Sequence, residues 1–113
     1  MDFIHASKAD FGRLPTLVST NSPLLNSIIV GTGAGLSYSR LGPTHHSLED
    51  ISLMQTIPNM QIYCPGDPNE LLAVLPKIIN VKGPKYLRIG KKGEPNINKA
   101  IPKLDLKYPN IIN

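Results

Sequence analysis

The chain has 113 residues, 41% of them apolar and 18% charged, which is enough for one compact domain and too few for two. No apolar run approaches the ~20 residues that cross a bilayer, and Met1-Asp2-Phe3-Ile4-His5 lacks the basic start and apolar block of a signal peptide. A cytoplasmic protein with no membrane partner is expected. The formal charge of +4 rests largely on lysines spaced singly or in one pair, with only four tyrosines and two phenylalanines to stack on bases. That pattern reads as a solvated face and excludes a nucleic-acid platform, whereas a modest positive balance suits small phosphorylated anions.

Met1 to Pro23 shows no sustained period of 2 or 3.6, and Ser19-Thr20-Asn21-Ser22-Pro23 marks a loop. Ser27-Ile28-Ile29-Val30-Gly31 is a short β-branched run that reads as a buried strand. Gly31-Thr32-Gly33-Ala34-Gly35 forms a flexible turn behind it, followed by a loop from Ser37 to Thr44. A helix is expected from Ser47 to about Thr56, capped by the Ser47 hydroxyl with Asp50 closing a capping box. Leu48, Ile51, Met54 and Ile57 would form its apolar face, and Pro58-Asn59 stops it.

Met60 to Cys64 is the second strand. Asp67-Pro68-Asn69-Glu70 is a strong helix start: Asp67 caps, Pro68 fits the first turn and Glu70 reaches back. The helix runs on through Ile78 and Ile79, with Pro76 expected to kink it near its last turns. Lys85-Tyr86-Leu87-Arg88-Ile89 is the third strand. Strands alternating with helices imply parallel pairing through right-handed crossovers, hence an α/β sheet. The lone Cys64, among Ile62, Tyr63 and Pro65, reads as a buried, inert thiol.

Three motifs invite chemistry. The glycine turn resembles a dinucleotide fingerprint, but its third glycine comes one place early and no helix starts at Gly35. The adjacent pair His45-His46 does not have the spacing of a helical zinc pair. Two readings of it stay open: histidines of the capping region with no role, or one imidazole pointing from a loop into a cleft to hold or move a proton on a sugar hydroxyl. Arg88, near the end of the third strand, shares a face with Tyr86. It either grips a phosphate or carboxylate in a bidentate contact, or lies on the surface with its stem on Tyr86.

Four linked blocks then carry a more specific signal: Gly35 through Ile51, including Gly42-Pro43-Thr44-His45-His46; Ile57-Pro58-Asn59-Met60; Cys64-Pro65-Gly66-Asp67-Pro68-Asn69-Glu70; and Gly83-Pro84-Lys85-Tyr86-Leu87-Arg88-Ile89-Gly90. In order and spacing they closely resemble the transketolase family, which includes deoxyxylulose-phosphate synthase. The resemblance implies a partial doubly wound, mostly parallel α/β sheet of the thiamine diphosphate-binding, pyrimidine-domain type. It divides the chain into an unassigned segment 1–25, a partial pyrimidine-binding domain (its C-terminal half) over 26–95, and a linker-like tail 96–113.

It further implies a parent enzyme that uses thiamine diphosphate with Mg²⁺ to transfer two-carbon ketol units between sugar phosphates. In such an enzyme this domain meets a complementary subunit or a second copy of itself. By the same resemblance His45 matches the catalytic, substrate-contacting histidine, and Arg88 the arginine that grips the sugar phosphate.

The departures narrow the reading. Leu41 stands where transketolases proper have an acidic residue, and Gly33-Ala34 stands where they have a histidine-aspartate pair. Both favour an offshoot such as a two-subunit or sugar-modifying relative. The family's cofactor-activating glutamate has no counterpart in Met1 to Pro23, and the diphosphate-binding domain is missing. The chain therefore reads as a fragment of a carbohydrate-metabolising transferase, inactive without the missing parts, that does not hold the cofactor alone. The competing readings are a non-catalytic interaction module and a small nucleotide-binding α/β protein.

Overall fold

A computed structural model describes residues 3–6, as backbone, and residues 26–107. Strands β1 (Phe3–Ala6), β2 (Ile28–Thr32), β3 (Gln61–Tyr63) and β4 (Lys85–Ile89) form one sheet of order β1-β2-β4-β3. All three neighbouring pairs are parallel. The expected alternation of strand and helix is therefore realised, with an additional strand in the N-terminal segment where the sequence carries no period. The expected loop at Ser19–Pro23 and the last residues of the tail lie outside the described residues.

Helix α1 (Asp50–Gln55) and helix α2 (Pro68–Ile78) cover opposite faces of the sheet. On one face Ile29 and Tyr86 pack with Met54 of α1 and with Ile57. On the other, Ile28 and Leu87 pack with Val74 and Ile78 of α2. The chain leaves β2, crosses one face through α1 to the edge strand β3, and returns across the other face through α2 to β4. Reversing direction while changing face keeps both crossovers right-handed, and that is what makes the sheet doubly wound. Each large apolar side chain removed from water contributes about 1.5–3 kcal/mol, so the two small clusters on β2 and β4 carry most of the burial.

Two expectations need adjusting. The first helix starts at Asp50 with Glu49 at its cap and without any side-chain cap bond. Ser47 cannot cap it, because its amide and carbonyl form an antiparallel bridge with Gly35 that holds it extended. As a result Leu48 precedes the helix and is exposed, while Met54 and Ile57 are buried. The start of the second helix is as the sequence indicates: Asp67 Oδ1 accepts from the Glu70 amide at 2.7 Å, and Glu70 accepts from the Gly66 amide at 2.7 Å. Pro76 sits on its exposed side, and the helix continues to Ile78.

Lys85 opens β4 fully buried. Its Nζ donates to Asn26 Oδ1 at 2.6 Å and to the Gly83 carbonyl at 2.7 Å. Burial pulls its pKa below the ordinary 10.5, since a cation out of water is disfavoured. This group ties the amino ends of β2 and β4 together, leaving their carboxyl ends to form a site.

Candidate functional site

Doubly wound sheets bind ligands beyond the carboxyl ends of strands whose connections diverge to opposite faces. Here β2 leads to one face and β3 to the other, with β4 between them. A cleft of about 630 Å³ opens at that point, walled by Thr32 and Ala34 at the end of β2, Cys64 to Pro68 beyond β3, and Arg88 to Lys92 at and beyond the end of β4.

Arg88 lines the cleft, and its orientation is fixed from behind. Its Nε donates to Asp50 Oδ2 at 2.7 Å and its Nη2 to the Ser47 carbonyl at 2.8 Å. Tyr86, two residues earlier on the same face of β4, donates its hydroxyl to the same Asp50 oxygen at 2.8 Å. Burial alone would raise the Asp50 pKa. The hydrogen bonds from Arg88 and Tyr86, together with the Arg88 charge, outweigh it and hold the carboxyl below its ordinary value. The same contact raises the Arg88 pKa, and burial with the Asp50 hydrogen bond keeps the Tyr86 phenol protonated.

Asp50, read from sequence as a capping residue, is thus the buried counterion of Arg88. The alternation of Tyr86 and Arg88 put those two side chains on one face, but no local pattern links either to Asp50, 38 positions from Arg88. Close packing reinforces the contact: a Cβ at Gly31 would collide with the Tyr86 phenol, so glycine there lets the ring reach Asp50.

The glycine turn does not make a phosphate cradle. The amides of Gly33, Ala34 and Gly35 donate to the carbonyls of Gly90, Ile89 and Ser47. They stitch the turn to β4 and to the Gly35–Ser47 bridge. Gly33 is needed for its conformation, with φ at 82° and the Tyr38 ring where a Cβ would stand.

His45 falls in a single 3₁₀ turn, Pro43–His45, and is exposed. Its ring meets Tyr38 edge-on at 6.5 Å between centroids, and Nδ1 lies 3.0 Å from Thr44 Oγ1. Tyr38 lines the cleft and His45 does not. The structure therefore brings Arg88 into the cleft and leaves His45 behind Tyr38 at its rim. His46 Nε2 lies 3.2 Å from the Ser39 carbonyl.

Cys64 is exposed on the cleft wall, contrary to the buried thiol expected, because β3 ends one residue before it. Partial desolvation still pushes its pKa up, with the Arg88 charge offsetting only part of the rise. The thiol is therefore protonated at neutral pH and is a poor nucleophile.

Across the cleft, Asp67 Oδ2 accepts from the amides of Ile97 and Asn98 and from Asn98 Nδ2, which fixes the start of the tail against α2. Leu104, further along that tail, packs on the core. Glu94 Oε1 accepts from Ser37 Oγ at 3.1 Å and joins the loop after β2 to the turn after β4.

The chain is a doubly wound α/β unit with a buttressed arginine at its strand ends, the place where such folds put their ligands. The chain belongs to the transketolase family: residues 17–94 match its domain described as "Transketolase, pyrimidine binding domain". It is 40% identical over 73 residues to one of the subunits of the apulose-4-phosphate transketolase of Actinobacillus succinogenes, covering 65% of this chain and 24% of that protein. It is 42% identical over 65 residues to the 6-deoxy-6-sulfo-D-fructose transketolase subunit of a Clostridium species, covering 58% of this chain and 20% of that one. A solved structure described as a split gene transketolase, inactive beta4 tetramer, superposes with a TM-score of 0.68 at 28% identity, over 91% of this chain and 33% of that one. The chain thus spans between a fifth and a quarter of the length of these two curated relatives.

Membership implies thiamine diphosphate in the parent enzymes. The described residues do not fit that group by themselves. Among them no three His, Cys, Asp or Glu side chains converge to hold a cation for a diphosphate. Of the two buried carboxylates, Asp50 spends Oδ2 on Arg88 and Tyr86 while its Oδ1 is buried without a hydrogen-bond partner among the described residues, and Asp67 is held by the backbone of α2 and the tail.

Proposed function

We propose that this chain supplies the substrate side of a thiamine diphosphate-dependent enzyme that transfers two-carbon ketol units between sugar phosphates. Arg88 holds the substrate, and His45 meets its hydroxyls once a further chain closes the cleft over Tyr38. The cofactor with Mg²⁺ is held mainly by a complementary subunit or a second copy, and the chain alone is catalytically silent. Its place of work is the cytoplasm.

The observation that carries this reading is the Arg88 guanidinium, locked by Asp50 and Ser47 with its remaining N–H groups free to face a 630 Å³ cleft. The relatives named as subunits of sugar-phosphate and sulfo-sugar transketolases support it. The committed amides of the glycine turn weigh against the nucleotide-binding alternative. Calorimetric titration with ribose 5-phosphate tests the reading: weak binding that Arg88→Ala abolishes is expected, and binding indifferent to that change refutes it.

A second reading, self-association without catalysis, draws on exposed apolar residues between Gly35 and Leu48. Leu36, Leu41 and Leu48 are each more than half exposed, at 56%, 56% and 61%. Such a patch favours contact with another surface, and the structural relative described as an inactive tetramer is consistent with a second copy. Light scattering over a concentration series separates the two readings: a monomer at high concentration that still binds ribose 5-phosphate excludes the second.

A further inference from the structure

One side chain separates His45 from the cleft. The Tyr38 ring lines the cleft, and His45, which does not, meets that ring edge-on at 6.5 Å between centroids. The imidazole gains the cleft when Tyr38 moves aside, so what holds Tyr38 decides whether His45 meets a ligand.

Two contacts hold it. The ring lies against Gly33, where a Cβ would stand 2.6 Å from Tyr38 Cε2. The preceding residue, Ser37, donates its hydroxyl to Glu94 Oε1 at 3.1 Å, and both of these residues line the cleft. Glu94 is itself seated. It folds over Gly90, where a Cβ would stand 2.7 Å from Glu94 Cγ, and its Oε1 also accepts from the Lys91 amide at 3.4 Å.

The rest of the loop is suited to swing as a unit. Its neck is the Gly35–Ser47 bridge, closed by two backbone bonds of 2.9 Å and held from below by Arg88 Nη2. Beyond the neck, the hydrogen bonds of Ser39, Leu41, Gly42, His45 and His46 stay within the loop. Leu36, Tyr38 and Leu41 are exposed, so little burial opposes movement about the neck.

We infer that Ser37 and Glu94 form a latch that keeps Tyr38 between His45 and the cleft, and that opening the latch admits His45 to the ligand. The inference rests on the proposed substrate-side function and adds the step by which His45 gains access. Ser37, Tyr38 and Glu94 are positioning residues here, acting through His45. A ligand that uses His45 binds the opened fraction, so the latch lowers its apparent affinity by that fraction. The net contribution of one hydrogen bond corresponds to roughly a 3- to 10-fold bias.

NMR of the full chain tests both halves. The Gly33 α-proton that faces Tyr38 carries a ring-current shift, which Ser37→Ala should reduce. Glu94→Gln keeps an oxygen that accepts from the Ser37 hydroxyl and should retain the shift. On titration with ribose 5-phosphate, the His45 ring protons should respond more strongly in Ser37→Ala than in wild type. Affinity should tighten about 3- to 10-fold in Ser37→Ala and return to the wild-type value in Ser37→Ala/His45→Ala.

A Gly33 shift unchanged in Ser37→Ala, or ribose 5-phosphate binding that weakens or stays the same in that variant, overturns the latch. The substrate-side function still stands in that case if Arg88→Ala abolishes binding. Absence of ribose 5-phosphate binding in both wild type and Ser37→Ala overturns that function, and the latch with it.

Discussion

Replacing Tyr86 by Phe removes one atom from the centre of the structure and tests the chain of contacts behind Arg88. The ring stays packed on Ile29, Met54 and Ile57, so little transfer free energy is lost. What goes is the hydroxyl that donates to Asp50 Oδ2 at 2.8 Å. Asp50 has only 1% of its surface exposed and cannot recruit solvent freely in compensation. A hydrogen bond to a charged group contributes about 1.5–3 kcal/mol. Arg88 remains to neutralise the carboxylate, so the cost should stay below the ~3–5 kcal/mol of a fully orphaned buried charge.

For a domain of this size, 1 kcal/mol moves the midpoint by about 4–8 °C, so a Tm lower by roughly 10 °C is expected. The reasoning also fixes a pH signature. Tyr86 helps keep the Asp50 carboxyl below its ordinary value, so the variant should become acid-labile at higher pH than wild type. Urea unfolding followed by circular dichroism from pH 3 to 7 reads both effects. A loss below about 0.5 kcal/mol with an unchanged acid profile would show that the phenol contributes packing alone.

Three further outcomes follow from individual positions. Gly33→Ala forces a side chain into a left-handed conformation at φ 82° and against Tyr38. It should cost about 1–2 kcal/mol, measured by urea unfolding, and an unaltered midpoint would mean the turn relaxes freely. Pro76→Ala restores a missing donor on the exposed side of α2. It should stabilise by about 1–2 kcal/mol after the looser unfolded chain is counted, and a lower Tm would contradict that. Asp50 and Asp67 both have pKa values depressed below 3.8. Their stabilisation is therefore complete above the unfolded carboxylate value and lost as pH falls below about 4. A urea midpoint flat from pH 5 to 7 and falling below 4 is expected, and one that rises on acidification would reverse the sign.

Much of the sheet was legible in the sequence because parallel strands buried on both faces read as short apolar runs. Ile28-Ile29-Val30 and Tyr86-Leu87 are such runs, and Asp67-Pro68-Asn69-Glu70 names its helix start through local hydrogen bonds. β1 was not legible, since Phe3–Ala6 is too short to set a period and takes its strand conformation from pairing with β2. Ser47 misled for a related reason: a capping signature is local, whereas the Gly35–Ser47 bridge joins residues whose approach depends on the whole loop.

Within the cleft, sequence position placed Arg88 correctly at a strand end. The role of Asp50 was hidden because a partner separated by 38 positions leaves no local pattern. Cys64 was misjudged from apolar neighbours; the strand ends just before it, so the thiol turns out to the cleft wall.

The central claim is that this chain forms the substrate side of a family domain whose cofactor is anchored elsewhere. Calorimetric titration of the full chain with thiamine diphosphate and Mg²⁺, followed by ribose 5-phosphate, tests it most directly. The account predicts no heat from the cofactor and weak binding of the sugar phosphate. Tight cofactor binding by the chain alone would contradict it.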